Sequence, residues 1–136
     1  KLGIEIQLVP YKDRDGIPAA LQQVAKIKPD AVFVYPDVMQ APGRLAQFWL
    51  EHSLPSMNAF PFYAEAGGLM SYGAVTAEVT ATMAGQVAKI LDGARPGDVP
   101  LQRATQFHLV INRKTAKALG ITVPQSLLLR ADRVLD

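Results

Sequence analysis

The sequence predicts an α/β domain built around a mostly parallel sheet with helices on its faces. Segments with a strand-like pattern alternate along the chain with segments of helical periodicity, and the connections between them are short. One of these segments, Ala31–Tyr35, is apolar throughout and rich in β-branched and aromatic residues. A run of this kind is typical of a strand that is buried on both faces of a sheet.

Composition is that of one compact domain with a substantial core. The chain has 136 residues, of which 49% are hydrophobic. The 14 basic and 12 acidic residues leave a net charge of +2. The basic residues are spread along the chain, so we expect no nucleic-acid partner. The absence of cysteine excludes disulfides and thiolate metal sites.

The first two predicted elements are a strand and a helix. Ile4, Ile6 and Leu8 alternate with polar residues, which predicts a strand over Leu2–Val9. A helix follows with Pro18 in its first turn and apolar residues at helical spacing. The sequence begins inside a strand-like pattern, so we expect it to be a piece of a longer protein.

A candidate binding residue follows the apolar run. Asp37 comes directly after this predicted strand, at the carboxyl edge of the sheet, where ligands bind in open α/β folds. Its carboxylate could accept hydrogen bonds from a ligand ammonium or hydroxyl group. A structural aspartate in a turn or at a helix start fits the position equally well. A helix over about 41–52 and a short strand over 56–60 come next.

A glycine-rich stretch near the middle of the chain, residues 66–73, organises the rest. Gly67, Gly68 and Gly73 allow a backbone conformation with positive φ or a very close approach of another group. Such closeness suits a ligand cleft or a crossing between two lobes, and it also suits a tight connection into a helix. Four aromatic residues nearby could wall a small-molecule pocket or cover the sheet edge: Phe60, Phe62, Tyr63 and Tyr72.

The clearest helix is predicted over Thr76–Leu91, and Gly93 is placed to end it. A turn-rich connector leads to a strand over Phe107–Ile111, and Asn112 is placed to cap a short helix. A final amphipathic helix is predicted from apolar residues at helical spacing, which are Leu127, Leu128, Ala131, Val134 and Leu135.

Enzyme motifs do not fit the chain. Gly68 and Gly73 flank Ser71 at the wrong spacing for a nucleophile elbow. No glycine motif of a phosphate-binding loop occurs. The turn Asp13–Gly16 lacks the remaining ligands of a calcium loop. We therefore expect no enzyme activity, no cofactor and no metal.

Three stretches resemble one family of ABC-transporter substrate-binding proteins with the type I periplasmic-binding fold, which includes tryptophan/tyrosine-type members. Residues 107–124 are similar to its "N-x-x-T-A-K-x-L-G-I-x-I-P" run, and an Arg-Ala-Asp close follows. Residues 67–73 match its "G-G-L-M-x-Y-G" motif. Residues 90–100 match its "I-L-x-G-x-x-P-x-D-L-P" motif.

The resemblance implies a two-lobe, flavodoxin-like protein of which this chain is the C-terminal portion. Residues 1–66 and about 105–136 would form the C-terminal lobe, whose first strand would also be absent. Residues of about 67–104 would cross towards the N-terminal lobe. The resemblance places six residues at the interlobe cleft: Asp37, Phe60, Tyr63, Ser71, Tyr72 and Gly73. Family members often carry Asp-Asn where this chain has Asp37-Val38, which weakens the case for an amino-acid ligand.

The implied function is capture of a small solute, aromatic or amino-acid-like, for import through a membrane permease. The implied location is the periplasm or a membrane-anchored extracytoplasmic position. A ligand-sensing domain of a signalling protein with the same fold is the alternative. Because the absent lobe would leave sheet edges and apolar faces uncovered, we expect this chain to form a homodimer.

Overall fold

A computed structural model describes residues 3–35 and 41–136. It contains a five-stranded sheet in the order β1-β2-β3-β4-β5. The strands are β1 (Val32–Phe33), β2 (Ser56–Asn58), β3 (Met70–Ala74), β4 (Phe107–Asn112) and β5 (Arg133–Leu135). The helices are α1 (Ile17–Ile27), α2 (Pro42–Glu51), α3 (Pro61–Glu65), α4 (Thr76–Leu91), α5 (Arg113–Ala118) and α6 (Gln125–Leu128). No helix in the described ranges is long and apolar enough to cross a membrane.

The strand directions confirm the predicted α/β class. β1, β2 and β3 are mutually parallel, β4 is antiparallel to β3, and β5 is parallel to β4. Because β4 is reversed, it begins at the edge of the sheet where β1, β2 and β3 end. We call this edge the carboxyl edge. It is the edge at which open α/β sheets bind ligands.

One face of the sheet carries the main core. Val34 packs in a buried cluster with Leu45 and Trp49 of α2 and with Tyr63 of α3. The inward residues of α2 follow helical spacing, and Pro42 opens the helix at a position where a missing N–H costs nothing. Leu21 and Val24 of α1 pack against the same cluster. This face is therefore covered by α1, α2 and α3.

The opposite face is covered only in part. The register places Phe33, Met57, Met70 and Ile111 in one row across β1 to β4. Ile111 is 1% exposed, whereas Phe33 is 55% exposed. Parallel strands normally have both faces covered. On this face the side chains of β4 are thus covered by other residues, whereas those of β1 are exposed to solvent.

The predicted strand over Leu2–Val9 does not form in the described part of that range. Residues 3–10 have no regular secondary structure and pair with no other described strand, and Ile4, Ile6 and Leu8 are 71%, 80% and 84% exposed. The alternating pattern is real, but a strand also needs a neighbour that accepts its hydrogen bonds. The prediction of a strand was wrong here because periodicity does not supply that neighbour.

The predicted final helix is wrong over most of its length. Only Gln125–Leu128 is helical, and Arg133–Leu135 is the edge strand β5. The backbone N–H of Asp132 donates to the carbonyl of Leu109 at 2.9 Å, and its side chain accepts from the N–H of Leu109 at 2.8 Å. These two bonds attach the chain to β4, so its last residues extend alongside that strand.

Helix α4 has the predicted bounds and projects from the carboxyl edge. It contains no buried residue. Residues 70–74, which the sequence assigns to a crossing segment that starts at about residue 67, form β3, which pairs with β2 on one side and β4 on the other. The chain leaves the sheet at Val75 and returns at Gln106, where the N–H of Val75 donates to the carbonyl of Gln106 at 3.0 Å.

Candidate functional site

Aromatic side chains gather at the carboxyl edge. Tyr35 follows β1, Phe60 follows β2, Tyr72 lies in β3 and Phe107 begins β4. We call these four residues the aromatic edge. Tyr35, Tyr72 and Phe107 are 67%, 47% and 45% exposed, and Phe60 is partly buried. Exposed aromatic rings supplied by neighbouring strands can form the apolar wall of a small-molecule site.

Tyr72 and Phe107 form a stacked pair within the aromatic edge. Their ring centroids are 5.6 Å apart with an interplanar angle of 21°. Tyr72 lies opposite Leu109 and Phe107 lies opposite Ala74 in the antiparallel ladder, so the two rings are diagonal neighbours on one face. The pair therefore presents a continuous apolar surface to solvent.

Phe60 is held by a buried asparagine. Asn58 is 0% exposed, and its side-chain amide donates to the carbonyl of Val34 at 2.6 Å. Its side-chain oxygen accepts from the N–H of Phe60 at 2.8 Å. The ring of Phe60 stacks on Phe62 at 5.3 Å. One side chain thus connects the ends of β1 and β2 and fixes the entry into α3.

Gly73 is a point of close backbone contact. A Cβ atom at this position would lie 2.1 Å from the carbonyl oxygen of Ala59. A Cβ atom at Gly68 would lie 2.3 Å from the ring of Tyr63. The predicted close approach at these glycines exists, and the approaching groups are a neighbouring backbone and a core ring. Gly73 thus brings β3 close to the residue before Phe60, and Gly68 lets the chain before β3 pass close to the ring of Tyr63.

Tyr63 and Ser71 lie beneath the site surface. Both are 0% exposed. The hydroxyl of Tyr63 donates to the side-chain oxygen of Ser56 at 2.6 Å. Burial raises the pKa of Tyr63 to about 12, although the hydrogen bond to Ser56 opposes this shift. The hydroxyl of Ser71 has no hydrogen-bond partner within the described ranges. Neither side chain is exposed at the carboxyl edge.

Asp37 lies outside the described residues. Tyr35 and Phe107, in contrast, are placed at the edge by the structure and are not among the residues predicted from the sequence. Tyr35 lies two residues before Asp37, so its place at the end of the predicted strand could have suggested it. Phe107 could not be found in this way, because its location depends on the reversed direction of β4.

Two open grooves lie at the opposite edge of the sheet from the aromatic edge. An open groove of about 660 Å³ is lined by α5 and the segment after it, including Lys114, Lys117, Ile121 and Leu128. A second groove, of about 420 Å³, lies beside Gly43 and Gly67. Neither groove includes a residue of the aromatic edge. In the described part of the chain, no group of three or more His, Asp or Glu residues could hold a metal ion.

Known structures resemble this chain over most of its length. A conserved domain protein from Vibrio cholerae O1 biovar El Tor is 31% identical with a TM-score of 0.77, over 87% of this chain and 40% of that chain. An ABC domain in complex with L-Trp from Streptococcus pneumoniae is 24% identical with a TM-score of 0.75, over 89% and 42%. A substrate-binding protein with adhesive properties from Clostridium difficile, ligand-free and open, is 20% identical with a TM-score of 0.60, over 89% and 41%.

The chain therefore spans about 40% of the length of these solved chains. No curated protein matches it. A family model described as ABC transporter substrate binding protein matches residues 1–135, nearly the entire sequence. The chain belongs to the family of ABC transporter substrate-binding proteins.

Proposed function

We propose that this chain is the C-terminal portion of a two-lobe binding protein that captures a small solute for import through a membrane permease. The observation that carries the proposal is the aromatic edge, where neighbouring strands offer exposed rings at the ligand-binding edge of an open α/β sheet. Solute capture of this kind needs contacts that favour a closed state, without covalent chemistry.

The aromatic edge is one wall of a site. Its rings are about half exposed, whereas a bound solute is usually enclosed over most of its surface. Helix α4 leaves from the same edge and carries an apolar stripe, which we call the α4 stripe: the partly buried Val79 and the exposed Met83, Val87 and Ile90. An N-terminal lobe packed on this stripe would supply the facing wall, with residues 75–106 as part of the connection.

The solute class that fits this wall is aromatic or amino-acid-like. The stacked pair of Tyr72 and Phe107 offers a flat apolar surface on which an aromatic ring can stack. Asp37 lies two residues after Tyr35 in the sequence and could supply a carboxylate for an ammonium group. The neighbour from Streptococcus pneumoniae was solved with L-Trp. Phe60 and Gly73 complete the surface part of the site, and Tyr63 and Ser71 support it from beneath.

The 136-residue chain allows a direct test by two-dimensional NMR with L-tryptophan as the probe. We expect a dissociation constant in the millimolar range, because only one wall of the site is present. The amide chemical shifts of Tyr72, Gly73 and Phe107 should change on titration. Tyr72→Ala should abolish these shifts, and Phe33→Ala, which removes an exposed ring outside the site, should leave them unchanged. Shifts confined to the groove beside α5, or no shift with tryptophan or with other aromatic acids, would contradict the proposal.

Association of two copies is part of the proposal for this chain. Apolar side chains are exposed in three places: residues 3–10, the row beside Phe33 and the α4 stripe. Exposed apolar patches and free strand edges favour association. We therefore expect a homodimer for the 136-residue chain, to be measured by light scattering.

Proteins of this family are typically extracytoplasmic, and we place this one in the periplasm or at a membrane anchor. The sensing alternative shares the same capture step and differs only in its partner. A membrane permease is the partner in the proposal, and co-purification with a permease or with a signalling kinase separates the two roles.

A further inference from the structure

The carboxylate of Glu78 connects the two segments by which the chain leaves the sheet and returns to it. Glu78 lies in the first turn of α4, just after the departure at Val75. Its carboxylate accepts hydrogen bonds from the N–H of Thr105 at 3.1 Å and from the N–H of Gln106 at 2.9 Å. The hydroxyl of Thr105 donates to the same carboxylate. One side chain therefore receives three donors from the returning segment.

These contacts stand out against the rest of α4. The helix buries no residue against the sheet. Beyond Glu78, its described attachments to the returning chain are the bond between Val75 and Gln106 and a bond of 3.0 Å from the side-chain amide of Gln86 to the carbonyl of Pro100. The latter joins the helix to its own connector and does not reach the sheet. The direction of α4 therefore depends on few contacts, and Glu78 makes most of them.

Local sequence explains why Glu78 is available for this role. A glutamate at the third helical position usually turns back to the N–H of the N-cap residue. Here the N-cap is Val75, which has no capping side chain, and its N–H already donates to Gln106. The carboxylate is thus free to bind Thr105 and Gln106. Hydrogen bonds to a charged acceptor are stronger than those to a neutral one.

We propose that Glu78 is a positioning residue whose hydrogen bonds hold the outgoing and returning segments together and so set the direction of α4 relative to the sheet. We call this set of hydrogen bonds the lock. This inference rests on the proposed function in one respect: in a two-lobe protein, such a lock would define the geometry about which the lobes close around a solute. The lock itself is a property of the 136-residue chain and can be tested without any solute.

The first experiment measures the distance between α4 and the sheet body. The chain has no cysteine, so spin labels can be attached at Leu91→Cys on α4 and Lys117→Cys on α5. We expect a narrow distance distribution for the parent and a markedly broader or displaced one for Glu78→Ala. Glu51→Gln, which changes an exposed carboxylate on α2, should leave it unchanged. An unaltered distribution in Glu78→Ala overturns the proposal.

A second measurement separates loss of the lock from loss of the fold. Hydrogen exchange of the Thr105 and Gln106 amides should accelerate at least about tenfold in Glu78→Gln. Exchange of the Val110 amide in the centre of β4 should stay the same. Glu78→Gln keeps the side-chain shape, so it serves if the alanine variant unfolds. Unchanged exchange at both amides would contradict the lock.

L-Tryptophan titration then separates this inference from the proposed function. This titration compares the two-lobe protein with and without Glu78→Gln. If both forms bind L-tryptophan with the same affinity, the proposed role of Glu78 in solute capture is wrong. If the parent binds no aromatic probe while the distance and exchange results hold, the lock stands and the proposed solute class fails.

Discussion

Gly73 and Ala59 meet so closely that a Cβ atom on the glycine would lie 2.1 Å from the carbonyl oxygen and 2.9 Å from the carbonyl carbon of Ala59. The contact joins the end of β3 to the segment just after β2. Backbone atoms cannot rotate away as a flexible side chain can, so the contact demands glycine.

Gly73→Ala should destabilise the chain by at least about 2 kcal/mol in urea unfolding, because the added methyl group overpacks a backbone contact. Gly85→Ala is the matched control. Gly85 lies within α4 with nothing within 4 Å of an added Cβ atom, so this change should stabilise the chain by roughly 0.5–1 kcal/mol. Equal effects of the two substitutions would show that the close contact does not exist in solution.

Tyr63 should make the chain sensitive to alkali. Its pKa is raised from 10.0 to about 12, chiefly by burial. The unfolded chain therefore loses the phenolic proton at lower pH than the folded chain does. The stabilisation is complete below pH 10 and disappears as the pH rises from about 10 to 12.

Tyr63→Phe removes this dependence. Between pH 10 and 12 the unfolding free energy of the parent should fall more than that of the variant. The difference between the two falls should be on the order of 2 kcal/mol. At neutral pH the variant should be less stable by about 1 kcal/mol, because Ser56 loses a buried hydrogen-bond donor. Tyr72→Phe, at a half-exposed ring, should follow the parent. Parallel alkaline profiles for Tyr63→Phe and the parent would rule out the buried phenol.

The stabilising contribution of Glu78 should be lost at low pH, whereas that of Tyr63 is lost at high pH. The hydrogen bonds from the Thr105 side chain, the Gln106 backbone and the Thr105 backbone hold its pKa below the ordinary value of 4.5. Its contribution to stability is present above that value and is lost as the pH falls through the lowered pKa. Carbon-detected NMR titration of the carboxyl group should show the low midpoint, and Thr105→Val should raise it. A midpoint at or above 4.5 in the parent would contradict the hydrogen-bonded geometry.

The α4 stripe should mediate association of the 136-residue chain. Met83 is 60% exposed and Val87 is 54% exposed. Met83→Glu should shift the chain from dimer to monomer in light scattering while changing its stability by no more than about 0.5 kcal/mol, as is usual for exposed sites. Ala81→Glu, on the opposite side of the same helix, should leave the dimer intact. A monomeric parent, or a dimer lost only in the Ala81 variant, would contradict this assignment.

Much of the fold could be predicted from local pattern. The bounds of α4 agree with its periodicity, and Asn112 caps α5 as predicted, with its side-chain oxygen accepting from the N–H of Thr115 at 3.0 Å. The failures lie where partners decide the structure. Residues 3–10 have the sequence pattern of a strand but no neighbouring strand to pair with. Residues 133–135 have a pattern that is compatible with a helix, but they form a strand because they pair with β4.

The candidate site was harder to predict, because exposure is a property of three-dimensional packing. Tyr63 and Tyr72 look alike in the sequence, yet one is 0% exposed and the other 47%. The short helix α3 turns Tyr63 into the core, and its five residues are too few for a periodic signal. Phe107 joins the aromatic edge only because β4 runs antiparallel to β3.

The reversed direction of β4 also makes the excursion between β3 and β4 modular. Ala74 and Phe107 face each other across the ladder, and adjacent antiparallel strands can be joined by a turn of about two residues. Everything from Val75 to Gln106, α4 included, is therefore an insertion at the tip of a hairpin. A segment attached in this way can be lengthened, shortened or exchanged for a tight turn without rethreading any strand of the sheet.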